Sequence, residues 1–321
     1  MHRVHPKTKA EISIVIPLYN EEKNVEELVT SLNDIMRTID RETEVIYVDD
    51  GSTDRTFELL SKLKETNDAM RIIRFTRNFG QTAAMSAGFD HADGKIIVTM
   101  DGDLQNDPKD ISLLIQKIEE GYDIVSGWRV NRQDKLVSRK IPSRIANWMI
   151  GHITGVKLHD SGCSLKAYRS DVVKNLRLYG EMHRFIPALA SSRGANIAEV
   201  KVNHHPRKQG VSKYGISRTI RVILDLITIK FLLSFLTRPL QIFGLLGFAF
   251  SGIGFLVCLY LSMLKLFGGH GISDRPLLLL GALLLVLGVQ FIGFGLIAEM
   301  QTRTYYEAQN KPIYVIKDFV E

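Results

Sequence analysis

The sequence predicts an α/β protein: a mainly parallel sheet flanked by helices, followed by a helical hairpin long enough to cross a bilayer. Two observations lead there. Residues 1–215 alternate short β-branched runs with amphipathic segments, and each early run ends on a polar cluster. Residues 240–298, by contrast, are almost free of charge. The 45% hydrophobic content of the 321-residue chain therefore hides a division into a soluble-type part and a membrane-type part.

Residues 11–17 (EISIVIP) form the first expected strand. Asn20 is placed to cap the helix that follows, whose apolar face is Val25, Leu28, Val29 and Leu32. A second strand, 44–48, ends on Asp49-Asp50-Gly51-Ser52-Thr53-Asp54. A third, 71–75, ends on Arg77-Asn78-Phe79-Gly80, and a helix runs from Gln81 toward Phe89. The fourth lies in 95–105 (KIIVTMDGDLQ) and stops at Asp101-Gly102-Asp103. Residues 123–127 (DIVSG) supply a fifth.

Parallel sheets bind ligands outside the carboxyl ends of their strands. Tyr19, Asn20, Asp49, Asp50, Arg77, Asp101 and Asp103 are therefore expected to meet in one crevice, which suits a nucleotide with a metal-bound diphosphate. Two carboxylates at a buried strand end are costly without a counter-charge, and a hard cation such as Mg²⁺ or Mn²⁺ supplies one. Each cluster taken singly also fits a turn or a helix cap. Asp107-Pro108 has the form of an Asx turn, and an isolated Asp-x-Asp can be no more than a strand end.

The remainder reads as membrane-associated. Residues 216–237 carry Arg218, Arg221, Asp225 and Thr228 at helical spacing amid apolar residues, as an amphipathic interface helix would. Residues 141–153 repeat this more weakly, and both segments also fit ordinary core-packing helices. The segments 240–266 and 277–298 contain uncharged runs of about 25 and about 22 residues, each sufficient for a span. Arg218, Arg221, Lys230 and Arg238 precede the spans and Arg303, Lys311 and Lys317 follow them; the loop between has only Lys265 and Arg275. That bias places both termini in the cytosol. Residues 1–11 lack an apolar core, so no signal peptide is expected. The tail, 299–321, includes a short β segment at 311–317. Glycines in both spans favour close helix packing and association of subunits into a homo-oligomer. Cys163 and Cys258 are the only cysteines, and the mid-span place of Cys258 argues against a structural disulfide. The net charge of +6 gathers near the membrane part, where anionic lipid or a phosphate substrate would be drawn. No Walker loop, dinucleotide glycine fingerprint or zinc spacing occurs, His204 and His205 have no third ligand at matching spacing, and no nucleic-acid partner is expected.

The motifs IVIPLYNEE, VDDGSTDRT, RNFGQTAAMSAG and DGDLQNDP resemble the successive signatures of family 2 glycosyltransferases with the GT-A fold. Gly127-Trp128-Arg129, Arg139 with Ser143, Asp160-Ser161-Gly162-Cys163 running into Lys166-Ala167-Tyr168-Arg169, and Arg207-x-x-Gly210-x-Ser212-Lys213-Tyr214 are similar to the polyprenyl-phosphate branch of that family. The closing QFIGFGLIAE and the hairpin extend the likeness to bacterial members. The resemblance implies an inner-membrane enzyme with a cytosolic catalytic domain at 1–215. Its reaction would be an inverting, metal-dependent transfer of one sugar from a nucleotide sugar, preferably a UDP-sugar, to undecaprenyl or dolichyl phosphate. It further implies that Pro17, Tyr19, Glu21 and Asp50 hold the nucleoside. Asp101, Asp103 and Gln105 would organise metal and diphosphate, Arg129, Arg139 and Ser143 would receive the acceptor phosphate, and Arg207 and Lys213 would close over the phosphates. Some members carry a carboxylate directly after Gly162, where this chain has Cys163; Asp160 is left as the nearby candidate catalytic carboxylate. Alternatives are a GDP-mannose-using synthase, a processive polysaccharide synthase and a non-catalytic membrane scaffold. The processive class needs a continuous channel and a Gln-x-x-Arg-Trp motif that the sequence lacks.

Overall fold

A computed structural model describes residues 10–130, 151, 155–176, 178, 182–206, 239–268, 276–308 and 316–320. The chain divides into two compact units: 1–226 with 312–321, and 227–311. In the first, the order is β1 (Ile12–Leu18), α1 (Val25–Met36), β2 (Thr43–Asp49), α2 (Thr56–Lys64), β3 (Met70–Phe75), α3 (Gln81–His91), β4 (Ile96–Thr99), α4 (Ile111–Glu119), β5 (Ile124–Arg129), β6 (Lys166–Arg169), α5 (Ser170–Lys174), α6 (Ile186–Ser191) and β7 (Ile197–Val202). The second unit contains α7 (Pro239–Gly268) and α8 (Pro276–Ala308), and β8 (Ile316–Val320) returns to the first.

The sheet has eight strands in the order β7-β5-β6-β4-β1-β2-β3-β8. It is mostly parallel: β6 runs antiparallel to both β4 and β5, and β8 antiparallel to β3. From β1 the chain steps to β2 and β3, then returns past β1 to lay β4 on its other side. That reversal opens a crevice at the carboxyl ends of β1 and β4.

The alternation of β1 decides the two core layers. Ile12, Ile14, Ile16 and Leu18 face α1, α2 and α4, packing against Leu28, Leu32, Leu60, Leu114 and Ile118. Val15 points the other way, onto Ala83, Ala84 and Ala87 of α3. Pro17 has no N–H to give, and β4 pairs only with Ile12–Val15, so Pro17 lies where the two strands have parted.

Two expectations are adjusted. Asn20 does not cap α1, which begins at Val25 after Asn24. Its side chain instead accepts the Thr53 N–H at 2.8 Å, and its φ of 56° is left-handed. The antiparallel β6, a strand the sequence did not announce, stands between β4 and β5. The tail strand is described at Ile316–Val320, overlapping the expected 311–317 only at its end. The segments read as interface helices, 216–237 and nearly all of 141–153, lie outside the described residues.

Among the described residues, two helices are long and apolar enough to cross a membrane, with spans at Phe243–Phe267 and Pro276–Ala298. Only 22% of the first span's apolar window and 11% of the second's are buried within the protein, so neither resembles the core helix of a soluble domain. Gly247, Gly254 and Gly288 set the approach between them. A Cβ added at these positions would stand 2.5 Å from Ile292 Cγ1, 2.7 Å from the Gly281 carbonyl and 2.0 Å from Ser251 Oγ.

Candidate active site

The polar clusters that end β1 to β4 are laced together side chain to backbone. Ser52 Oγ accepts the Asn20 N–H at 2.9 Å and Thr56 Oγ1 that of Glu21 at 2.9 Å, joining the loops after β1 and β2. Asp50 accepts the N–H groups of Phe79 at 2.7 Å and Gly80 at 2.9 Å, joining the loops after β2 and β3. Gln81 Nε2 donates to Asp101 Oδ1 at 2.7 Å, which ties in the loop after β4. Gly51, at φ 68°, lets this weave close: a Cβ there would lie 2.3 Å from the Arg77 backbone carbon.

Each backbone N–H used here is one that a loop at a strand end leaves without a ladder partner. The polar residues after each strand thus serve two ends, shaping the crevice and exposing what remains of their own polar groups. Tyr19, Asn20, Asp49, Asp50, Asp101 and Asp103 lie at or just after the strand ends that form this rim, where the strand-end argument put them, and Glu21 and Gln105 follow on the same loops. Arg77 reaches the same rim but is exposed, its guanidinium 4.1 Å over the Phe79 ring.

Burial pushes the Asp50 carboxyl up to about 6 in spite of its two N–H donors. Asp101 is raised by burial and then by the Asp103 charge beside it. Leu104, directly after Asp103, holds a φ of 60°, in the left-handed region that favours glycine, a local strain on the same loop. The Asx turn is present as well: Asp107 Oδ1 accepts the Lys109 N–H at 3.0 Å.

A buried carboxylate, Asp101, with the Asp103 charge beside it fits a hard divalent cation, whose remaining positions phosphate oxygens and water would fill. Among the described residues no group of three His, Cys, Asp or Glu forms a self-sufficient metal cage. His204 and His205 lie near this loop, His205 N–H donating to the Gln105 carbonyl at 2.8 Å and its Nε2 standing 3.2 Å from Asp107 Oδ2.

On the β5 side, Arg129 and Asp160 form a two-pronged ion pair: Nε to Oδ2 at 2.6 Å and Nη2 to Oδ1 at 2.9 Å. Burial opposes the charge on Arg129, but the Asp160 carboxylate more than offsets it and raises the pKa. Cys163 is fully buried, and burial pushes its thiol up to about 11, so it is no substitute for a carboxylate. Arg139, Ser143, Arg207 and Lys213 lie outside the described residues. A surface hollow of about 790 Å³ between Glu11, Asp40, Arg41 and Glu42 is at the amino ends of β1 and β2, away from this rim.

Gln81, Glu199 and Lys166 are the residues of the site whose contacts the sequence did not announce. Gln81 was visible only as a helix start and Lys166 only inside a motif. Glu199 carried no signal.

The comparisons agree with this geometry. The model of glycosyl transferase family 2 matches residues 13–177. A dodecaprenyl-phosphate galacturonate synthase of Rhizobium johnstonii is 48% identical over 320 residues, covering 98% of this chain and 95% of its own. An undecaprenyl-phosphate 4-deoxy-4-formamido-L-arabinose transferase of Pseudomonas paraeruginosa is 37% identical, covering 96% of this chain and 90% of its own. In fold, the chain is similar to glucosyl-3-phosphoglycerate synthase from Mycobacterium tuberculosis, solved with Mn²⁺, UDP-glucose and phosphoglyceric acid. The TM-score is 0.54 at 20% identity, over 69% of this chain and 80% of that one. With a GT-A-like sheet, a carboxylate-rich crevice at its switch point and relatives matching along nearly the whole length, the chain is a glycosyltransferase and belongs to glycosyl transferase family 2.

Proposed function

We propose that this enzyme transfers a single sugar from a nucleotide sugar, with a UDP-sugar favoured, to the phosphate of a polyprenyl lipid at the cytosolic face of the inner membrane. The observation that carries this reading is the pairing of the Asp101–Asp103 crevice with two membrane-length helices on one chain. The two relatives' names share a polyprenyl phosphate and differ in the sugar, which supports the acceptor more strongly than any one donor.

In this reading Pro17, Tyr19, Glu21 and Asp50 hold the nucleoside, while Arg77 and Gln105 flank the diphosphate. Arg129, Arg139 and Ser143 receive the acceptor phosphate, and Arg207 and Lys213 close over both. The catalytic domain is 1–215, 216–237 lies along the membrane surface, 240–298 spans it, and 299–321 returns as a cytosolic tail. Subunits associate through the spans.

A phosphate monoester has a second pKa near 6 and is mostly dianionic at neutral pH. Its oxygen attacks the anomeric carbon while the bond from that carbon to the nucleotide diphosphate breaks. A single displacement inverts the configuration and leaves no covalent enzyme intermediate. No strong base is required. The protein's task is to bring two anions together, which its guanidinium and ammonium groups make affordable. Bound Mg²⁺ or Mn²⁺, held by Asp101 and Asp103, would neutralise charge on the departing diphosphate.

The test is a transfer assay with purified full-length protein, undecaprenyl phosphate and a panel of labelled UDP- and GDP-sugars, beginning with UDP-galacturonate. Label should pass into the lipid phase from a UDP-sugar, and chelation by EDTA should stop it. Label that leaves every donor only as free sugar in water would refute the acceptor.

A further inference from the structure

The short turn 159–163 is gripped from both sides. On β7, Glu199 sits opposite Ser126 of β5. Its Oε1 accepts the N–H of His159 at 2.8 Å and that of Asp160 at 3.2 Å, and its Oε2 lies 2.7 Å from His159 Nδ1. From below, the buried Lys166 ammonium donates to the carbonyls of Ser161, at 3.3 Å, and Cys163. His159 in turn stacks on Trp128, the neighbour of Arg129, with ring centroids 4.1 Å apart.

The turn so held delivers one side chain to the crevice. Asp160, 3% exposed, takes Arg129 by Nε and Nη2. A guanidinium has five N–H donors in a rigid plane, so fixing one edge fixes the direction of the others. We propose that Glu199 is a positioning residue for the acceptor phosphate: it fixes the 159–160 backbone so that Asp160 holds one edge of Arg129 and turns the remaining donors toward a phosphate monoester. Asp160 is then a grip on Arg129, with both of its oxygens engaged by that side chain. This rests on the reading of Arg129 as an acceptor-phosphate ligand.

The arrangement has a reason in energy. Arg129 without Asp160 would be a largely buried cation without its carboxylate, free to rotate about its own side chain. Asp160 without Glu199 would sit on a turn whose two N–H groups lack their acceptor. Outer-layer contacts of this kind orient the groups that touch substrate, and their loss typically costs tenfold or more in what those groups bind.

The experiment compares wild type, Glu199→Gln and Glu199→Ala as full-length protein. Glu199→Ala should raise the KM for undecaprenyl phosphate about tenfold and leave the nucleotide-sugar KM within about twofold. Glu199→Gln, which keeps one acceptor oxygen, should fall between. Equal changes in both KM values, or an unchanged lipid KM, would overturn the proposal. A second readout does not depend on the acceptor: solvent exchange of the Arg129 Nε–H in ¹⁵N-arginine-labelled protein. Exchange should be about tenfold faster in Glu199→Ala once the grip of Asp160 loosens. Unchanged exchange would overturn the positioning role even if transfer is confirmed. Slow exchange in a wild type that transfers no sugar to lipid would instead count against the proposed function alone.

Discussion

Asp50 carries the most informative single titration in the crevice. Its folded pKa, raised by burial to about 6, lies above the usual carboxylate value, so the folded state holds this proton more tightly than the unfolded chain. Stability from that preference is present at low pH and is lost as pH rises toward about 6. The melting temperature of wild type should therefore fall relative to Asp50→Asn between about pH 4.5 and 7. The asparagine has no such titration, and any constant cost of its amide facing Phe79 and Gly80 N–H leaves the slope unchanged. A wild type that gains on the variant over this range would contradict the assignment. Gln81 gives a second residue-scale expectation. It orients Asp101 by one hydrogen bond, so Gln81→Ala should raise the Mg²⁺ or Mn²⁺ concentration needed for half-maximal transfer by roughly ten- to a hundredfold. An unchanged metal dependence would separate Gln81 from the metal site. Asp50 and Asp101 were readable in the sequence because a carboxylate closing a buried strand has an evident energetic cost. Gln81 and Glu199 were not, because their partners lie 20 to 40 residues away and no local pattern marks them.

At the scale of elements, β1 and α3 pack through a glycine. A Cβ added at Gly88 would stand 2.1 Å from Val15 Cγ1, a side chain of β1 that faces α3. Gly88→Ala should destabilise the catalytic unit by about 1–3 kcal/mol, the usual cost of overpacking, read as a lower melting temperature. An unchanged melting temperature would mean that α3 moves aside freely. The first five strands were legible to within two residues because each is a continuous apolar or β-branched run, the pattern of strands covered on both faces. β6 was not. Its four residues, KAYR, include two cations and show no period long enough to read, and it holds its place through pairing to β4 and β5. The helix cap assigned to Asn20 failed for a related reason: a side chain that can cap a helix can equally tie down a neighbouring loop, and here Thr53 was nearer.

On the scale of the whole molecule, the composition divided the chain correctly into a sheet-bearing part and an apolar hairpin, yet the glycines of the spans meant something more specific than composition conveyed. Gly247, Gly254, Gly281 and Gly288 are occupied within the hairpin itself, whereas Gly252 and Gly293 have nothing within 4 Å. Gly254→Leu should accordingly disturb the hairpin and lower the thermal stability of the membrane part. Gly252→Leu should leave the hairpin intact and weaken any homo-oligomer, as read by native mass in mild detergent. The reverse pattern would place the subunit contact on the other face. All of these features serve one claim, that a nucleotide-sugar crevice on a membrane-held chain acts once on a lipid phosphate. The most direct measurement is the mass of undecaprenyl phosphate after prolonged incubation with excess nucleotide sugar and purified full-length enzyme, with Asp103→Asn alongside. The account predicts a lipid heavier by one sugar residue and no more, and an unaltered lipid with the variant. A ladder of added sugars, an unchanged lipid with every donor, or full activity in Asp103→Asn would contradict it.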